Sequence, residues 1–253
     1  MENAYEVPVS LTTIGTIFIA SGAAAALWIA GDIAWRRGWK SMMWIMIPVY
    51  VINATYLWPI TVWVYINYGR PPKRVKKHSV ETKDAHHPPH GRGGGEADEG
   101  HGDAEGGECG GHHFHEGGSQ RPMFATITVA VCHCGAGCVL GDVVGEWLHG
   151  ADFGFAIGFG LLFQYFSIAP MSGQYGMTTL YRALKADFLS LIFFEIGLFG
   201  WMAAFQVGIF EWRLEMNNVL YWWMMQIGMF FGHWTAVPVN WWLITKGIKE
   251  PCA

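Results

Sequence analysis

Six stretches of this chain, residues 11–31, 42–67, 123–147, 153–171, 188–210 and 218–245, are nearly uncharged and apolar. Each is close to, or beyond, the roughly 20 residues a helix needs to cross a hydrocarbon core. This one feature rules out a soluble globular domain. Backbone groups in lipid must bond internally, so runs of this length imply helices. The expected fold class is therefore all-α, a polytopic transmembrane helical bundle of about six spans. The fourth window is short, and the sixth is long with Pro238 as its expected kink.

Composition supports that reading where charge is concerned. Charged residues are 14% of the chain against 52% hydrophobic, well below the share usual in soluble domains. Most of the charge falls in one segment, 69–121, which divides the chain. The expected organisation is a two-helix transmembrane hairpin over 1–68, a disordered His-rich linker over 69–121 and a four-helix transmembrane domain over 122–253. The N-terminal MENAYEVPVS has two Glu and no Lys or Arg, so the first window reads as a retained span, not a secretory signal.

Lys and Arg in the connections set the expected orientation. With six crossings both termini share a side with the linker. Twelve of the sixteen basic residues fall on that side, and Arg36, Arg37, Lys40 and Arg213 on the other. The linker and both termini are thus expected in the cytoplasm of a prokaryotic inner membrane, although the cluster at 36–40 opposes this.

The linker begins RPPKRVKK and continues in Gly, His and acidic repeats, with eight of the eleven His of the chain. It has too few apolar side chains to offset the entropy of ordering. Cys109, His112, His113 and His115 stand within seven residues. Such a tract reads equally as a low-specificity metal buffer or as a polar spacer.

Chemistry concentrates in VAVCHCGAGCVLGDVVGEWLHG. Cys134, Cys138, Asp142 and Glu146 follow one another at spacing four, which stacks them on one helix face. Gly137, Gly141 and Gly145 make a parallel ridge of small residues that lets another helix approach closely. Cys132 lies roughly 200 degrees round from Cys134 on a regular helix, and joins it only if residues 135–137 unwind. Carboxylates inside a span mark a site by default, and three Cys in seven residues favour ligand or redox chemistry over inert packing.

In the sixth window Met225, Met229 and His233 share a face at a depth matching the Cys motif. Thiol, thioether and imidazole form a soft donor set. The expected metal ligands are Cys134, Cys138, Cys132, His133, Met229 and His233, holding a transition metal ion with Cu(I) first and Zn(II) second. Asp142, Glu146 and Glu195 would line the path or couple protons. Glu195 either pairs with His233 or gates that path, and Asp187 reads as an interfacial cap.

The motifs CHCGAGCVLGD, FQYFSIAPM, ALKADFLSL, FFEIGLFGWMA and TAVPVNWWLITKGIKE resemble the signatures of the domain-of-unknown-function-4396 family of prokaryotic membrane proteins. The resemblance covers about residues 124–250. It implies a polytopic membrane domain with a Cys-rich helix and brings no activity with it. The CHC core is more loosely similar to the Cys-x-Cys element of heavy-metal-pumping ATPases, where the middle residue is typically Pro. Neither DKTG nor GxxxxGK[ST] occurs, which excludes an ATP-driven pump as a single-chain function.

The leading expectation is a membrane protein that binds and transfers a soft metal ion; whether it is an enzyme stays open, the lack of an ATPase or nucleotide-binding motif weighing against it. Its expected partners are the bilayer, the metal ion or a metallochaperone, and a homo-oligomer or larger membrane complex, with no nucleic acid. A membrane thiol-disulfide oxidoreductase using Cys134 and Cys138, or a non-catalytic scaffold, are the alternatives.

Overall fold

The computed structural model describes residues 7–36, 43–70, 122–148 and 151–249. Cys109, His112, His113 and His115 of the linker fall outside the described residues. All regular structure among the described residues is helical: α1 (Val9–Arg36), α2 (Met46–Val64, continued by a π-helical turn, Tyr65–Gly69), α3 (Met123–Trp147), α4 (Asp152–Ser172), α5 (Met177–Gly208) and α6 (Val219–Thr245). Five of these, α1 to α5, are long and apolar enough to cross a membrane, and α6 has 27 residues. The chain is an all-α integral membrane bundle.

Its surface has the inverse of a soluble protein's polarity. Ile17, Leu27, Leu162, Ile196, Phe230 and Trp241 face outward. Asn53, His133, Asp142, Asp187, Glu195, Asn240 and Lys249 are buried. Lipid solvates the first set, and only the protein can satisfy the second.

The glycine ridge on α3 acts as its spacing implies. A Cβ on Gly137 would overlap the backbone of Gly160, one on Gly141 that of Ala156, and one on Gly145 that of Asp152. The two helices therefore run antiparallel in backbone contact, in step by four residues on each. On the far side of the bundle α5 and α6 meet the same way, with Gly197 against Gly232 and Gly228 against Leu198 and Trp201. Without a hydrophobic force between helices in lipid, such close contact is what holds them.

The second window departs from a single straight span. Leu57 leaves the helical region (φ −114°, ψ 31°) and Pro59 follows inside the helix. Pro59 has no N–H to give the carbonyl four residues back, and that carbonyl, Thr55 O, instead accepts from Gln226 Nε2 of α6 at 2.6 Å. At this break the chain reverses. The Tyr50 and Tyr65 rings lie 5.4 Å apart, edge to face, whereas fifteen residues of straight helix would separate them by about 22 Å. Both arms pack on the C-terminal half of α1, in one cluster with Ile29 and Ile33. After the second arm, Arg70 forms a two-pronged pair with Asp32 of α1, at 2.7 Å and 3.0 Å. Tyr65 donates to the same carboxylate at 2.9 Å.

The N-terminal helices also pack on the rest of the bundle and do not stand apart. Gly15 lies under Trp223, and Gly22 under Thr55 and Gln226. Asn53 Nδ2 donates to Cys132 O at 2.7 Å.

A direct check of the α3–α4 contact is Gly141→Val. Overpacking of this kind costs about 1–3 kcal/mol or more, so its unfolding midpoint in detergent should fall clearly. Gly158→Ala, on α4 where nothing lies within 4 Å, should leave the midpoint unchanged or raise it.

Candidate functional site: a polar file along α3

Because α3 is an unbroken helix, Cys134, Cys138, Asp142 and Glu146 stay on one face, and each meets a different partner. They are spaced about 6 Å apart along the axis, so the file covers roughly 18 Å of depth.

At the end nearer the linker, the partners come from α5 and α6. Cys134 Sγ lies 3.0 Å from Ser190 Oγ and 3.1 Å from Val131 O. Ser190 Oγ accepts from Asn240 Nδ2, which leaves its own proton for the sulfur. Asn240 Oδ1 in turn accepts from Lys249 Nζ at 2.7 Å. Lys249 Nζ also donates to Ala130 O at 3.2 Å and to Asp187 Oδ1. Both members of this ion pair have wholly buried side chains, so Asp187 is not the interfacial cap expected of it.

Lys249 reaches the core because the end of α6 turns back. Gly247 takes φ +66°, Gly247 N–H bonds Ile244 O, and Ile248 N–H bonds Leu243 O. This pair of bonds is the Schellman termination that favours Gly at that position.

The middle of the file is different. Cys138 and the Glu195 carboxyl of α5 interact electrostatically, and neither Glu195 oxygen has a hydrogen-bond partner. Asp142 is electrostatically close to Glu195, Asp152 and Glu146. Asp142 and Glu195 are each 1% exposed, and none of their four carboxylate oxygens has a hydrogen-bond partner. Toward the far end Tyr221 of α6 donates to Glu146, and Asp152 Oδ1 is buried without a partner.

The other expected ligands are not gathered on this file. Cys132 faces away, into a cluster with Val49, Ala136 and Phe163. His133 is fully buried with neither ring nitrogen bonded. The α3–α4 register puts it level with Gln164, whose Oε1 is equally unpartnered. Lys249 and Asp187 are the charges that act on His133. Met225 and Met229 belong to the apolar cluster that contains Cys134 and Cys138. Neither Glu195 oxygen has a hydrogen-bond partner, so His233 is not bonded to Glu195, and His233 Nδ1 is itself unbonded. Cys132, Cys134 and Cys138 are free thiols. Among the described residues, no three His, Cys, Asp or Glu side chains stand close enough to hold a metal ion together.

Sequence spacing does not single out Ser190, Asn240, Lys249 or Tyr221 as members of the site. Gly247, followed by Ile248 and Lys249 directly after the apolar run, is the signal for the turn that buries Lys249. For the others, level in the membrane is readable from sequence, but the direction each faces is not.

The sequence model of the family described as domain of unknown function (DUF4396) matches residues 123–249, half of the chain. The chain belongs to that family. The matched stretch runs from the first residue of α3 to Lys249, so the whole polar file lies within the family domain, and α1 and α2 lie outside it. No curated protein and no solved structure matches the chain.

The buried ion pair gives a test of the file's linker-side end. Lys249→Met leaves Asp187 buried and uncompensated, which should cost about 3–5 kcal/mol. The double variant Lys249→Met with Asp187→Leu should recover most of that loss. Unfolding in detergent micelles reads both.

Proposed function

We propose that this protein moves protons across the bilayer, with Asp142 and Glu195 as the exchange site and the α3 file as the route. The observation that carries this reading is the pair of buried carboxyls with four unpartnered oxygens. An ionised carboxylate in such a place is too costly to persist. Each carboxyl must therefore hold a proton or take up a cation, and either exchange changes its charge at mid-membrane. On the far side Glu146 and Tyr221 continue the route, and on the linker side Cys134, Ser190 and Asn240 do so. The thiol and hydroxyls of the file can each donate and accept, which suits proton transfer.

A second reading follows from the electrostatic interaction of Cys138 with Glu195. One thiolate and two carboxylates would suit a borderline cation such as Zn(II) better than Cu(I), and metal uptake there would release protons. The side chains of Cys138, Asp142 and Glu195 must draw together for that, since they do not form a ligand group as they stand. On either reading we place the protein in the prokaryotic cytoplasmic membrane, with the linker and C-terminus inside.

Proteoliposomes loaded with a pH-sensitive dye, under an imposed potassium diffusion potential, distinguish the readings. Wild-type protein should acidify or alkalinise the lumen with the sign of the potential, while Glu195→Gln and Asp142→Asn should fall to the leak of protein-free vesicles. Tyr175→Phe, at an exposed site, should match wild type. Equal flux in wild type and Glu195→Gln would overturn the proton reading. Bound zinc or copper in purified wild type that disappears in Cys138→Ser would establish the second.

A further inference from the structure

We infer that residues 43–70 enter and leave the membrane on one side, as a re-entrant hairpin, so that the N-terminus lies across the membrane from the linker and the C-terminus. Three independent observations lead there.

The first is the position of the hairpin's ends. Met46 and Ile47, at the start of the first arm, share a cluster with Ile29 and Ile33 near the end of α1. Residue 43 therefore starts on the side where α1 ends. Arg70, beyond the last turn of the second arm, bonds Asp32 one turn before the end of α1. Both ends of the segment thus lie beside the same end of α1.

The second is the depth and chemistry of its apex. The turn at Thr55 abuts α1 at Gly22, where any Cβ would overlap the Thr55 carbonyl. Gly22 is ten residues, or about 15 Å, below Asp32 along the helix. The apex therefore stops near the middle of the membrane. Irregular backbone at that depth is tolerated only where protein covers it, and here Gln226 satisfies the carbonyl that Pro59 leaves open. Tyr56 packs edge to face on Phe194 of α5, and its hydroxyl donates to Asn53. A Cβ on Gly135 would touch both Tyr56 and Asn53, so the apex lies against the Cys-bearing turns of α3.

The third is the direction of α1. Gly15 lies under Trp223 and Gly22 near Gln226, so α1 and α6 ascend together and run parallel. Phe18, between Gly15 and Gly22 on α1, stacks at a tilt on Trp223, 5.9 Å between ring centroids. α6 ends on the linker side, beside the start of α3, where Lys249 bonds Ala130. α1 therefore begins on the opposite side.

Charge favours this arrangement over six crossings. Arg36, Arg37 and Lys40, which oppose the six-crossing orientation, move to the linker side. The sixteen basic residues then divide fifteen to one, with Arg213 alone opposite, a stronger bias of the kind that sets orientation.

Membrane-impermeant maleimide, applied to right-side-out and inside-out vesicles, tests the side of each end. Cys132, Cys134 and Cys138 are buried, so with Cys252→Ser the native Cys109 reports the linker. With Cys109→Ser added, Lys40→Cys should label in the same vesicles as Cys109 did, and Val9→Cys in the opposite ones. Val9→Cys labelling with Cys109, or Lys40→Cys labelling opposite to it, would overturn the inference. The hairpin itself is read separately by Tyr50→Cys with Tyr65→Cys in the chain lacking Cys109 and Cys252. A short bifunctional crosslinker should join the two, and a straight span would leave them unjoined.

Discussion

Backbone contact between α3 and α4 organises the rest of the bundle. With Gly at 137, 141 and 145, α4 seats directly on the α3 backbone along one ridge. Lipid tails are as apolar as the side chains, so burial in water contributes nothing to this association, and packing at close range must hold it. Once one ridge of α3 is occupied, the neighbouring stripe of Cys134, Cys138, Asp142 and Glu146 is turned toward α5 and α6. The remaining face, with Cys132 and Ala136, receives the first arm of α2. From Ile127 to Val139 every residue of α3 is buried. A helix enclosed on all sides can carry polar groups that a lipid-facing one could not.

How much of this the sequence discloses depends on whether a feature is local. The stripe and the ridge on α3 are legible because the helix period fixes them within one segment. The spans are legible for the same reason, by length. What faces the stripe is not local. Met229 and His233 match the cysteines in depth, yet depth leaves the azimuth of α6 open. Thiols instead meet Ser190 and Glu195 of α5, a helix whose parallel run with α3 puts residues some 56 positions apart at one level. Asp187 and Lys249 each look like boundary residues by sequence position. Only the turn at Gly247 brings them together. Whether the chain kinks or reverses at Pro59 depends on Gln226, which lies on another helix.

The two buried acid sites of the file stand in opposite electrostatic conditions. Asp187 is held by Lys249, whose remaining protons bond Asn240 and Ala130. Its charge is compensated in place, and any exchange there must first break an ion pair in a low-dielectric core. Among the described residues, no cation pairs with Asp142 or Glu195 and no hydrogen bond reaches their oxygens. For them the charged state is the costly one, and a proton or a cation from outside lowers that cost directly. The first site resists a change of charge and the second requires one.

That contrast gives the file a direction in structure, whatever its cargo. Its linker end is closed by a locked pair, and the apex of α2 packs against the adjacent turns of α3 through Asn53 and Tyr56. Its far end is closed by the bond from Tyr221 to the half-buried Glu146. A single hydrogen bond between side chains near an interface is more easily opened than a wholly buried ion pair with two further hydrogen bonds. On the proposed reading, exchange at Asp142 and Glu195 would therefore be easier from the far side. On that reading, passage to the linker side would run past the buried Lys249–Asp187 pair, and the short segment after Gly247 that carries Lys249 is the part of the chain whose movement would release it.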